Sequence, residues 1–241
     1  MSDCSFHQHG PQLYSGWGYG GIFSTNVLLY EEYAAGTSLA STDQQWDIFA
    51  NLVLVGQQLA TRGPNFDYTV SGRLMTYFGR NDTFDVNDGW YHFFAAFDDF
   101  RLAFPRFVEP FDTPLGVFFH PLLSSVDPER PRAQELVAFG RRLYGESTPA
   151  LNVNHHFYDS DFHAHHRPGY YASVRMFSNR TLNTECVNSE NLQGRNLADG
   201  VTNVYLSGKE YEDVYAVWDW QLIPGTLEHR TGTTYTCGEV S

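Results

Sequence analysis

Between residues 173 and 226 the chain reads SVRMFSNRTLNTECVNSENLQGRNLADGVTNVYLSGKEYEDVYAVWDWQLIPGT, a stretch crowded with groups that move protons or hold charge. Arg175, Arg180, Glu185, Asn188, Glu190 and Asn191 alternate there with Val174, Met176, Thr181 and Val187. That spacing predicts strands with one face over a polar groove. A second run, DCSFHQHGPQLYSGWGYG at residues 3–20, brings together Cys4, His7, His9, Tyr14 and Tyr19. Cys4 beside His7 or His9 has the residue types of a thiol–imidazole nucleophile. A small half-buried thiol is the better reading, because Cys4, Cys186 and Cys237 form no zinc or redox spacing. A third cluster holds His155, His156, His163, His165 and His166, with His163 and His165 on one strand face. Imidazoles bind zinc or copper, but no carboxylate or cysteine completes a ligand spacing, so a hydrogen-bonding patch is expected and no metal.

The 173–226 run resembles the polysaccharide lyases of family 8, which cleave hyaluronate, chondroitin or xanthan, from SVR through TECVNSENLQGRNLADGVTNVYLSGKEY to WDWQLIPG. Two further segments carry the resemblance in the family's order: HGPQL, opened by His9, and FDYTVSGRLM at residues 66–75, where Arg73 follows Gly72. The resemblance implies a catalytic set of His9, Tyr19, Arg73 and Glu185, with Asn188, Arg80, His165, Arg167 and Tyr14 as substrate contacts. A uronate lyase removes the C5 proton beside the carboxylate and expels the C4 oxygen. It therefore needs donors for an enolate-like oxyanion and a group that takes one proton and returns another. By resemblance, His9 helps hold the carboxylate, Tyr19 exchanges protons, Arg73 favours the tyrosinate, and Glu185 orients the set. Tyr19 lies one residue beyond the family spacing. Glycines 16, 18 and 20 can absorb an inserted residue, and Tyr14 is the competing candidate. The family's second arginine is replaced by Tyr77, which leaves Arg80 as the nearest substitute.

The elements expected to position these groups form an α+β chain. The resemblance implies a partial α/α toroid over residues 1–148, followed by the first strands of an antiparallel β-sandwich over 149–241. Ser41, Thr42 and Asp43 offer N-caps for a helix through Trp46, Phe49, Leu52, Val53 and Leu59, stopped by Gly63-Pro64. A second helix is expected after Asn87-Asp88. A third runs from about Pro131 to Gly145 with Leu136, Phe139 and Leu143 on one face. Pro105, Pro110, Pro114, Pro121 and Pro128 mark a long connection between them. From Asn152 the pattern alternates as in strands, punctuated by turns at Asp199-Gly200 and Ser207-Gly208.

Composition narrows the partners. The 241 residues are 42% hydrophobic and 16% aromatic, ample for a core, and carry a net charge of −13. That charge argues against nucleic acid or an anionic membrane. It would also repel an acidic polysaccharide at long range, so Arg73, Arg80, Arg167, Arg175, Arg180 and Arg195 are expected to concentrate along the substrate. Asn81-Asp-Thr and Asn179-Arg-Thr are glycosylation sequons. The resemblance implies an acidic polysaccharide substrate, no cofactor, and a secreted, extracellular parent with further N- and C-terminal parts, the N-terminal one supplying an Asn and an aromatic platform. The alternatives are a non-catalytic carbohydrate-binding protein that kept the groove and, behind it, a His-liganded metal hydrolase.

Overall fold

The computed structural model describes residues 1–16, 18–63, 65–76, 123, 126–143, 149–187, 190–212 and 214–227. Helix α1 (Tyr19–Ala34) follows the glycine-rich turn. Helix α2 (Asp43–Asn51) starts at a complete capping box, in which Thr42 and Gln45 exchange side-chain-to-backbone hydrogen bonds. The same rod continues as a π-helical turn (Leu52–Gln57) and a 3-10 turn (Gln58–Ala60), ending ahead of Gly63 as expected. Helix α3 (Ala133–Leu143) buries Leu136, Phe139 and Leu143 against Leu28, Trp46, Phe49, Val53 and Leu54. The Trp46 indole N–H donates to the Pro131 carbonyl at 3.0 Å, pinning α2 to the start of α3. The helix expected after Asn87-Asp88 lies outside the described residues, as do Arg80 and Asn188.

Two short strands, β1 (Thr61–Arg62) and β2 (Asn65–Phe66), pair around Gly63. The main sheet is an antiparallel meander in the order β3 (Val153–Phe157), β4 (Phe162–Arg167), β5 (Tyr170–Arg175), β6 (Val201–Tyr205). Its inner face alternates as a half-buried sheet must: Phe162, Ala164 and His166 are buried, while His163, His165 and Arg167 are only partly covered. Phe157, Phe162, Tyr171 and Tyr205 share one core with Leu13, Leu59, Phe66, Tyr68, Val70 and Met75 from the first part of the chain. Partial helical structure followed by antiparallel sheet is thus the observed class.

One expectation fails. Among the described residues of 176–200 none lies in a strand, and Gly194–Ala198 forms a 3-10 turn. Several of their polar side chains, those of Ser178, Thr181 and Asn183 among them, bond to nearby groups, which offers the backbone an alternative to a ladder. Asp161 collects the hydroxyls of Ser178 (2.6 Å) and Thr181 (2.9 Å) and pairs with Arg180. Asn183 accepts from the Ala198 amide and donates to Asp199, both at 2.9 Å. Arg175 does lie on a strand, but it points into the core and donates to the Ser160 carbonyl at 3.0 Å. Burial lowers its pKa to about 10. Arg175 is therefore unavailable to a polysaccharide.

Candidate functional site

His9 sits on a loop whose base is closed by an isolated antiparallel bridge between His7 and Leu13. The loop tip needs left-handed backbone, with His9 at φ 57° and Gly10 at φ 101°. The strand-like segment behind it is tied to the 3-10 turn Tyr68–Val70, because Gly16 donates its amide to the Val70 carbonyl at 2.9 Å. Tyr19 is the first residue of α1, placed by Gly18 at φ 96°. Buried Gln57 reaches over from the π-helical turn, donating to the carbonyls of Ser15 and Gly20 and accepting from the Ser24 hydroxyl. Nothing in the sequence pattern marks Gln57, since its partners are separated from it along the chain.

Arg73 belongs to the 3-10 segment Gly72–Thr76, and Glu185 to the loop after β5. The two meet across the fold. The Arg73 backbone amide donates to Glu185 Oε2 at 3.0 Å and its Nη1 to Glu185 Oε1 at 2.9 Å. Glu185 Oε1 also accepts from His9 Nδ1, so one carboxylate bridges the imidazole and the guanidinium. The loops carrying His9 and Glu185 are joined directly, the Leu182 amide donating to the Pro11 carbonyl at 2.9 Å. On its other side Arg73 Nε donates to Glu190 Oε2 at 2.5 Å. The sequence marks Glu190 only as part of the TECVNSEN run.

Aromatic contacts complete the cluster. The Tyr19 ring stands edge-on to His9 with centroids 4.7 Å apart, and Tyr14 stands edge-on to Tyr19 at 5.2 Å. Arg73 also lies within hydrogen-bonding reach of the Tyr19 phenol. His9 is 38% exposed while Glu185 is 4% exposed, so the cluster has a buried ionic floor and an open imidazole edge. Burial alone would lower the Arg73 pKa, but the Glu185 carboxylate and the groups around it hold it above its ordinary value. Tyr14 is different in kind. Its ring is fully buried, its hydroxyl meets no partner at hydrogen-bonding distance, and burial, reinforced by the Glu185 charge, pushes its pKa well up. The site can therefore hold a charged guanidinium and an oriented imidazole against one accessible phenol, Tyr19.

His165 and Arg167 are placed elsewhere, on β4. His163 Nε2 and His165 Nδ1 both meet Asn154 Oδ1, at 2.6 and 3.0 Å, and Arg167 Nη1 donates to the His166 carbonyl at 2.7 Å. None of these bonds runs to the His9 cluster. Among the described residues no group of three His, Cys, Asp or Glu side chains could hold a metal ion, and no helix is long and apolar enough to cross a membrane.

Residues 152–241 match the super-sandwich domain of polysaccharide lyase family 8. Over 223 residues the chain is 31% identical to chondroitinase-AC of Pedobacter heparinus, covering 92% of this chain and 28% of that protein. The solved structure of a chondroitinase AC lyase, described with oligosaccharide complexes, superposes with a TM-score of 0.76 at 28% identity, covering 99% of this chain and 31% of that one. Residues 152–241 are thus a super-sandwich domain of polysaccharide lyase family 8, and the rest of the chain is similar to the lyases that carry it. A xanthan lyase from Paenibacillus shares the fold, with a TM-score of 0.70 at 21% identity over 99% of this chain and 23% of its own. The chain spans less than a third of the length of these relatives.

Proposed function

We propose that this chain supplies the proton-transfer half of a lyase site that cleaves a uronic-acid-containing polysaccharide, of the chondroitin or hyaluronate kind, by β-elimination. The observation that carries the reading is the shared carboxylate of Glu185, which joins His9 to Arg73 beside the accessible Tyr19 phenol. In the proposed reaction Tyr19, as tyrosinate, takes the C5 proton. The C5–H electron pair forms the C4–C5 double bond, the C4–O bond breaks, and Tyr19 returns a proton to the leaving oxygen. Arg73 stabilises the tyrosinate, and His9, aligned by Glu185, donates to the uronate carboxylate as its oxyanion develops. Asn188, close to Glu185 in sequence, and Arg80 are proposed substrate contacts. Supporting the substrate class are the names of the relatives, two of them enzymes of chondroitin. A division near Pro149 and an extracellular place of action belong to the same reading.

The test is to treat chondroitin and hyaluronate with the full-length protein carrying this chain and follow the ultraviolet absorbance of the unsaturated uronate. Mass spectrometry should show products lacking one water relative to hydrolysis. Binding without such products would leave a carbohydrate-binding protein, and saturated products would mean a hydrolase.

A further inference from the structure

We propose that Glu190 is a positioning residue of this site, holding the Arg73 guanidinium in the plane that faces Tyr19 and moderating the charge that Tyr19 meets. The inference rests on the lyase reading above and adds to it a residue outside the set that reading uses. A guanidinium fixed at one nitrogen can still rock about that contact, whereas two separate carboxylate anchors define its plane. Arg73 has both: Nη1 on Glu185 at 2.9 Å and Nε on Glu190 at 2.5 Å. The two anchors come from one loop and differ in setting, Glu185 being 4% exposed and Glu190 25% exposed. Glu185 is committed elsewhere as well, accepting from His9 and from the Arg73 backbone amide. Glu190 acts on the guanidinium.

Charge follows from the same geometry. One cation, Arg73, faces two carboxylates, so these three groups together carry one net negative charge. The groups facing Tyr19 are His9 edge-on, Tyr14 edge-on, and Arg73 with Glu185 and Glu190 attached. A carboxylate on the far side of Arg73 weakens the pull of that cation on a tyrosinate. Removing its charge while keeping an acceptor should make the phenol easier to deprotonate.

Two variants separate position from charge. Glu190→Gln keeps an oxygen for Arg73 Nε, and Glu190→Ala removes it. In Glu190→Ala we expect kcat to fall by about tenfold or more with KM little changed, and Glu190→Gln to recover most of that loss. In Glu190→Gln the low-pH limb of kcat/KM should move toward lower pH by roughly half a unit or more. A purely structural role would lower the unfolding midpoint and leave the limb in place. An unmoved limb in Glu190→Gln would overturn the proposal. Independently of turnover, NMR of the Arg73 guanidinium should show restricted rotation in the native chain and free rotation in Glu190→Ala; identical spectra would also overturn it. Restricted rotation lost in Glu190→Ala, in a protein that forms no unsaturated product, would instead retain the anchoring and refute the lyase reading.

Discussion

Tyr14 and Tyr19 are ring-to-ring neighbours, yet their hydroxyls live in opposite surroundings. Tyr14 is fully buried with an unpartnered hydroxyl, whereas Tyr19 is partly exposed against the His9 edge and within reach of Arg73. A proton-exchanging group must meet solvent or substrate, and a buried phenol held neutral does not. Tyr19→Phe should therefore cut kcat by roughly a hundredfold or more with little change in KM, the signature of a lost acid–base group. Tyr14→Phe deletes a hydroxyl that makes no hydrogen bond, so the unfolding midpoint should stay or rise and turnover should change by less than about threefold. Exchanged results would move the acid–base role to Tyr14. The motifs in the sequence named His9, Tyr19, Arg73 and Glu185 and favoured Tyr19 over Tyr14, but the burial of residue 14 was not legible, because Leu74 and Gly72 from a distant segment decide it.

At the scale of elements, the Arg73 turn depends on one residue with no side chain. Gly72 has φ +54°, and a Cβ there would stand 2.2 Å from Tyr14 Cε2 and 2.7 Å from Glu185 Oε2. Gly36 also has positive φ, +72°, but its Cβ would meet nothing within 4 Å. Gly36→Ala should therefore cost only the backbone strain, about 1 kcal/mol, while Gly72→Ala adds the clash and should cost several-fold more. Urea unfolding of both variants measures the difference, and Gly72→Ala should also lose turnover because Arg73 and Tyr14 must shift. Regular elements were readable in advance for a physical reason: α2, α3 and β3 to β6 declare themselves by capping residues and by period. The stretch 176–187 with 190–200 declares itself falsely. Its alternation imitates a strand, but Asp161, Asn183 and Asn191 satisfy the neighbouring groups locally, and Asn191 Nδ2 closes onto Thr184 at 2.7 Å and the Glu185 carbonyl at 2.9 Å. The Arg73–Glu190 contact was invisible because it joins residues 117 positions apart.

The whole molecule sets two further dependences, one on pH and one on salt. His166 is 1% exposed in the core face of the sheet and bonds the Leu59 carbonyl at 2.8 Å, joining β4 to the end of the α2 rod. Burial lowers its pKa from 6.5 to about 4. Between those values the unfolded chain binds the proton that the folded chain refuses, so this contribution is present above pH 6.5 and lost as pH falls toward 4. The loss is of order 3 kcal/mol at its limit. Urea midpoints should thus fall between pH 7 and pH 5 more steeply in the native protein than in His166→Gln. In the proposed reaction, salt acts on the encounter with an acidic polysaccharide. The chain carries a net charge of −13, and an acidic polysaccharide approaching it is repelled over the Debye length, roughly 30 Å at 0.01 M salt and 8 Å at 0.15 M. A strongly cationic groove would reverse that repulsion nearby. Among the described residues Arg73 is already matched by Glu185 and Glu190, Arg180 by Asp161, and Arg175 is buried, so these three add little local attraction. Raising ionic strength from about 0.01 to 0.15 M should therefore lower KM for an acidic polysaccharide while kcat holds, because screening removes more repulsion than attraction. A KM that rises over the same range would show that a basic surface governs binding, and the charge of the molecule as a whole would then be irrelevant to how it meets its substrate.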